Sequence, residues 1–257
     1  MLILLAFVSL SAADPDATIR DLPFKVKQNE DRLGAELEKF GYNEKIDRTD
    51  GPKHVVEEFE VTNYKGRKIR RLVARNGKPL VGGELEKENK RIEKLVIRME
   101  KGDIPPLSNR RLRTEDLVAA ALFTNVRAEL VQGREVVACD FAPRPNYKAR
   151  NLNERLIQNV SGKLWIDAKA LQIARADFGL NSAFKVAGGL FFSMKPGTRF
   201  SEQQLWFGNR IWLPSSNQVT FKAKAMMAKN LNIEVVTTHS EYRRFDVSAT
   251  DTVVEKD

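Results

Sequence analysis

Between Gly162 and Val247, apolar and polar residues alternate with a period of two through one short segment after another. Turn-forming residues interrupt the alternation every several positions, which is the pattern of an antiparallel meander with one buried face. In Gly162–Asp167, Leu164 and Ile166 fall on one side and Trp165 and Asp167 on the other. Val219, Phe221, Ala223 and Ala225 alternate with Thr220, Lys222 and Lys224, and Leu231, Ile233 and Val235 with Asn232 and Glu234. Phe184 to Met194 is apolar on both sides and reads as a single strand covered on both faces. Gly208-Asn209 reads as a tight turn, and Pro214 as the end of the next strand, because proline cannot donate to a ladder. A meander with one apolar face must curl or take helices onto that face.

Upstream of the meander the chain reads in three parts. Leu2 to Leu10 is a short apolar run followed by Ser11-Ala12-Ala13, too short to span a bilayer and suited to cleavage near Ala13 as an export signal. Residues 14–50 read as an N-terminal helical segment, with Leu33, Leu37 and Phe40 at helical spacing. Residues 51–257 read as a single domain. It opens with a charged hairpin, Val55–Val61 and Lys68–Ala74 with the turn-like Tyr64-Lys65-Gly66 between them, and Asn76-Gly77 is a strong turn signal after it. A helix over Gly83–Lys101 follows, with Leu85, Ile92, Leu95, Val96 and Met99 in one stripe, and then a second helix from Thr114 to about Phe123. Together these helices, about 83–123, are the expected lid. Gln132-Gly133 turns the next hairpin, and Asn151–Gln158 reads as a short helix.

The chain has 257 residues and a formal net charge of +9. Residues 1–157 carry 30 Lys/Arg against 25 Asp/Glu, and residues 158–257 carry 13 against 9, so the excess is spread along the chain. A nucleic-acid binder concentrates its charge on one face or tail, and no nucleic-acid partner is expected. The densest basic group is Asn109–Arg113, which suits a lipid headgroup or a protein contact. Cys139 is the only cysteine and sits at an apolar strand position, which reads as a buried thiol. His54 and His239 lie among polar neighbours without metal-ligand spacing, so neither a metal nor a cofactor is expected. No Gly-x-Ser-x-Gly elbow, phosphate loop or dinucleotide fingerprint is present, and Gly188-Gly189 reads as a bulge within a strand. Asp140, Asp167 and Asp177 are the carboxylates that would have to converge for hydrolysis, and the chain reads as a non-enzyme.

The aromatic content of the meander is the most suggestive feature. Phe178, Phe184, Phe191, Phe192, Met194, Trp206, Phe207, Trp212 and Phe221 fall close together in sequence and are the candidate lining of an apolar cavity. An ordinary filled core is the alternative.

Export signal, hairpin, helices and then a long meander resemble the periplasmic lipoprotein-carrier (LolA-like) fold. The local features that carry the resemblance are Gly162 with Trp165-Ile166-Asp167, and Trp212-Leu213-Pro214 after the Gly208-Asn209 turn. The hairpin with Arg70-Arg71-Leu72 and Asn76-Gly77-Lys78-Pro79-Leu80 is similar to exported bacterial proteins of that broad type. The resemblance implies an α+β fold: a curved antiparallel sheet, an incomplete β-barrel, with helices packed on its concave face and acyl chains bound in the hollow. The expected function is a periplasmic, monomeric protein that binds a lipid, acylated peptide or other apolar ligand, in lipoprotein or lipid trafficking. The alternative is an envelope module that docks a protein partner or a membrane through the same fold.

Overall fold

The computed structural model describes residues 15–64, 67–103, 114–186, 192–225 and 229–245. Helix α1 (Pro15–Leu37) leads into strands β1 (Phe40–Asp50), β2 (Lys53–Tyr64), β3 (Arg67–Arg75) and the short β4 (Lys78–Pro79). Helices α2 (Gly82–Glu100) and α3 (Thr114–Ala120) precede β5 (Ala121–Val131), β6 (Arg134–Pro143), α4 (Leu152–Ile157), β7 (Val160–Asp167) and β8 (Gln172–Leu180). The chain ends in β9 (Phe184–Val186), β10 (Phe192–Met194), β11 (Arg199–Phe207), β12 (Ile211–Ala225) and β13 (Lys229–Arg244). All 13 strands form one antiparallel, curved, unclosed sheet in the order β4-β3-β2-β1-β13-β12-β11-β8-β7-β6-β5, with β10 pairing β12 and β9 pairing β10. The curved, unclosed antiparallel sheet is that of the fold-class expectation; α1, α3 and α4 pack together over one face of it, and α2 packs on β3.

Local turn chemistry builds the hairpins. Asn76-Gly77, Gln132-Gly133 and Gly208-Asn209 all have two successive residues at positive φ, the backbone of a tight turn whose twist matches the flanking strands. The first strand and the last are joined by the pairing of β1 with β13, from Phe40↔Arg244 to Asp50↔Ile233.

Four expectations are corrected. The helical segment over residues 14–50 ends at Leu37, and Phe40–Asp50 is strand β1, so the sheet begins before residue 51. Its alternation of Tyr42, Glu44 and Ile46 against charged neighbours is too polar to register as a buried strand by hydrophobicity alone. The expected second lid helix stops at Ala120, where the chain passes directly into β5. The single strand Phe184–Met194 is a hairpin of β9 and β10, with Phe192↔Val186 and Met194↔Phe184. Pro214 lies inside β12, where the register against β11 shifts between Gln203 and Gln204; proline is tolerated at such an irregularity, which leaves its missing N–H unneeded. Residues 1–14, Asn109–Arg113 and Gly188-Gly189 lie outside the described residues, so the export signal, the basic cluster and the diglycine do too.

The main core lies under α1, α3 and α4, where Leu22, Val26, Ala120 and Ile157 pack onto Cys139, Phe141, Leu164, Ile166 and Ala176. The Cys139 thiol is inside it, and burial together with Asp140 pushes its pKa up to about 11, so it is an inert apolar group at neutral pH. α1 is also anchored by Asn29, whose amide donates to the carbonyls of Ala170 (2.9 Å) and Leu171 (3.0 Å). α2 packs on β3 instead. There Glu88 accepts from Leu72 N–H (2.7 Å) and Arg91 donates to the Arg70 carbonyl, so helix side chains satisfy backbone groups of an edge strand.

A second cluster, Val136, Ala138, Trp165, Ala174 and Trp212 with Trp206, packs separately from the main core. At its centre Asp167 is fully buried. It accepts from Arg134 Nε (2.8 Å), Trp212 Nε1 (3.0 Å), and the N–H groups of Lys169 (3.0 Å) and Ala170 (2.8 Å). Burial pushes its carboxyl up, but these donors outweigh burial and hold it below the ordinary value. The Arg134 guanidinium lies 3.7 Å from the Trp206 ring centroid, which completes the shell.

Across the concave side runs a row of phenylalanines. Phe123 and Phe141 have ring centroids 6.5 Å apart, Phe141 and Phe178 6.3 Å, and Phe178 and Phe200 4.9 Å with nearly parallel planes. Between Phe141 and Phe178 the strand β7 contributes Gly162, paired with both. A Cβ there would meet Asp177 O at 2.1 Å and Phe178 Cα at 2.6 Å. Gly162 is what lets the two rings close over the intervening strand. Gly162→Ala is therefore expected to destabilise the protein by about 3 kcal/mol, the upper range for overpacking, read as a lower urea midpoint. An unchanged midpoint would refute the role given to this glycine.

Candidate functional site

The nine candidate cavity residues divide among separate environments. Phe178, Phe184, Met194 and Phe221 belong to the main core or pack against it. Trp206 and Trp212 belong to the tryptophan cluster around Asp167. Phe207 packs with Phe40, Ile211, Leu213 and Tyr242 against Leu33 and Leu37 at the end of α1. Phe191 and the side chain of Phe192 lie outside the described residues. The sequence grouping fails because neighbours in a strand point to opposite sides: Trp206 and Phe207, or Trp212 and Leu213, are adjacent in the chain and end in different clusters. Asp140, Asp167 and Asp177 have separate partners, respectively Asn125 with Arg127, Arg134 with Trp212, and Arg175 with Ser201.

What the structure does bring together is a ladder on β12 and β13. Asn217 pairs with Thr237, Val219 with Val235, Phe221 with Ile233, and Ala223 with Leu231. Period-two geometry places these four pairs on one side of the sheet, the side of Phe200 and Phe178 through the pairings Phe200↔Val219 and Phe200↔Phe178. Val219, Phe221, Leu231, Ile233 and Val235 are each only half-buried. The ladder is thus an apolar path that continues the concave core and is partly uncovered among the described residues.

At its Asn217–Thr237 end the path opens into a polar cleft of about 390 Å³. Glu44 and His239 are paired in register on β1 and β13 and form its centre. The His239 Nε2 lies 3.5 Å from Glu44 Oε2, and Arg70 donates to the other carboxylate oxygen while its guanidinium lies 4.5 Å from the Phe59 ring centroid. Lys68 Nζ donates to the Tyr42 hydroxyl (3.0 Å), and the Tyr42 ring meets the imidazole edge-on at 5.1 Å. Burial pushes the Glu44 carboxyl up, but the bond to His239 and the Arg70 charge hold it below the ordinary carboxylate value. His239 Nδ1 is buried and has no hydrogen-bond partner among the described residues. A second pocket, about 410 Å³, is lined by Tyr147, Arg155, Gln158, Asn159, Phe184 and Lys185 near α4.

In the sequence His239 lies among polar neighbours and gives no metal-ligand spacing. The signal that would have found it is the same period-two count: Ile233, Val235, Thr237 and His239 share a parity and hence a face. Among the described residues, no three His, Cys, Asp or Glu side chains gather as metal ligands would, and no helix is long and apolar enough to cross a membrane.

Comparison with solved structures finds similar folds over nearly the whole chain. A DUF1329 family protein from Desulfovibrio piger is 14% identical, with 95% of this chain and 98% of that chain covered at a TM-score of 0.38. A putative outer membrane lipoprotein-sorting protein domain from Vibrio parahaemolyticus is 11% identical, with 90% and 94% covered at 0.36. A chain of the Pseudomonas aeruginosa MucA/MucB complex is 10% identical, with 86% and 99% covered at 0.26. Each is a likeness of fold. No family model and no curated protein matches the sequence.

Glu44→Gln tests the centre of the cleft. A carboxyl held low in the fold contributes stability that is present above its unfolded value of about 4.3 and lost as pH falls through the folded value. Arg70 keeps 44% of its side chain exposed, so the loss at neutral pH is expected to be about 1–2 kcal/mol rather than that of a fully buried pair. Urea titrations should show the difference between wild type and variant shrinking towards acid pH; a difference independent of pH would contradict the ion-pair account.

Proposed function

We propose that this chain is an exported, non-catalytic carrier that holds the apolar chain of a lipid or acylated molecule along the concave face of its open sheet. The observation that supports the reading is the ladder Val219/Val235, Phe221/Ile233 and Ala223/Leu231, half-buried at every side chain but the buried Ala223, continuous with the phenylalanine row and leading into a polar cleft. A fully sealed core would bury those five larger side chains, as it does Trp212 and Leu213. Covering them with an acyl chain yields about 0.8 kcal/mol per CH₂ removed from water. An open sheet with helices on one face suits this task, because a guest lies along the strands without any backbone group being exposed to it. The apolar run Leu2–Leu10, followed by Ser11-Ala12-Ala13, supports export, and the proposed site of action is the periplasm.

A second reading rests on a different feature. β5 is the terminal strand of the sheet, and Leu122 and Leu130 on it are 43% and 69% exposed. An extended segment of a protein partner adding to that edge would cover both. The two readings separate in one experiment, titration with a fluorescent acyl-chain probe. The carrier reading expects saturable binding that Ile233→Gln weakens at least tenfold while a Leu130→Gln variant binds normally. Absence of binding, with a partner protein captured through β5, would favour docking and overturn the carrier.

A further inference from the structure

Resting on the carrier reading, the geometry points to the cleft around Glu44 and His239 as the seat of an anionic headgroup, so that the ligand class is an amphiphile carrying a phosphate or carboxylate at the end of its chain. Two observations carry this. The first is continuity: the cleft residues Asn217 and Thr237 are a register pair, and the next three pairs on the same face are Val219/Val235, Phe221/Ile233 and Ala223/Leu231. From Asn217 to Ala223 is about 20 Å at the usual rise per strand residue, room for a long acyl chain extended from a headgroup in the cleft.

The second is the supply of hydrogen-bond donors. Arg70 and Lys68 both line the cleft. Arg70 gives one bond to Glu44, and Lys68 gives one to the Tyr42 hydroxyl. A guanidinium has five donors and an ammonium three, so most remain to be taken by an acceptor-rich group. The Glu44 carboxylate is already engaged through both oxygens, by Arg70 and by His239, and holds Arg70 in place without exhausting its donors.

The division of labour is then spatial. β12 and β13 hold the chain by apolar contact, while β3 reaches across β2 with Arg70 and Lys68 to hold the charged end. This fixes the direction in which an amphiphile lies, headgroup at β1–β3 and tail towards β10, which pairs with β12 at Ala223. It also makes affinity depend on charge and chain length together, with neither sufficient.

The test uses the full chain and three probes of equal chain length where a chain is present: a fatty acid, a lysophosphatidic acid and the neutral fatty alcohol, with inorganic phosphate as the chain-free anion. Wild type is expected to bind the two anionic amphiphiles about tenfold more tightly than the alcohol, and phosphate far more weakly than either. Lys68→Gln, an exposed position whose loss leaves the Glu44–Arg70 pair intact, is expected to cut that preference severalfold, Arg70 holding the remainder. Ile233→Gln is expected to weaken all three amphiphiles by a similar factor. If wild type and Lys68→Gln bind acid and alcohol equally, the headgroup inference fails and the carrier reading stands. If phosphate alone binds as tightly as the amphiphiles, the cleft is a free-anion site and the inference fails on its other side. If no amphiphile binds, the carrier reading itself fails.

Discussion

The antiparallel pairing of β1 with β13 is the constraint on which the rest of the structure depends. It joins the highly charged N-terminal strands to the end of the meander and makes one sheet of two stretches that are remote in sequence. It also creates the cleft, because Glu44 and His239 meet only through that register. Contacts between chain ends form late, since loop closure must precede any reward from pairing. The local hairpins, with their positive-φ turns, are in place to be joined.

Two buried carboxylates, Asp167 and Glu154, are satisfied in the same way. Asp167 is surrounded by a guanidinium, an indole N–H and two backbone N–H groups, so its burial stabilises rather than strains the tryptophan cluster. Glu154 is likewise buried in α4, where Arg150 binds it through side chain and backbone, while Asn151 caps the helix by accepting from Glu154 N–H.

Much of the fold was legible because it is local. Turn residues announced Asn76-Gly77, Gln132-Gly133 and Gly208-Asn209, and period-two alternation announced β7, β8, β12 and β13. β1 was not legible as a strand, since Glu44, Arg48 and Asp50 give it no apolar signal and its pairing partner is distant. The passage of β12 through Pro214 depends on a register shift that only the neighbouring strand reveals. The candidate site was half legible. Phe178 and Phe221 do face the concave side, but Trp206 and Trp212 pack around Asp167, and composition cannot tell two faces of a curved sheet apart. The polar cleft was not legible because its residues come from β1, β3, β11, β12 and β13 and carry no hydrophobic clustering in sequence.

The central claim is that the concave face beyond the helices is built to be covered by a guest, with an apolar ladder for a chain and a polar cleft at its head. The most direct measurement is native mass spectrometry of the protein isolated under mild conditions from the envelope of the cells that make it. The account predicts a defined added mass that fragments to an amphiphile and is lost from a variant with a polar residue on the β12–β13 ladder. A bare chain, with the ladder variant indistinguishable from wild type, would contradict it.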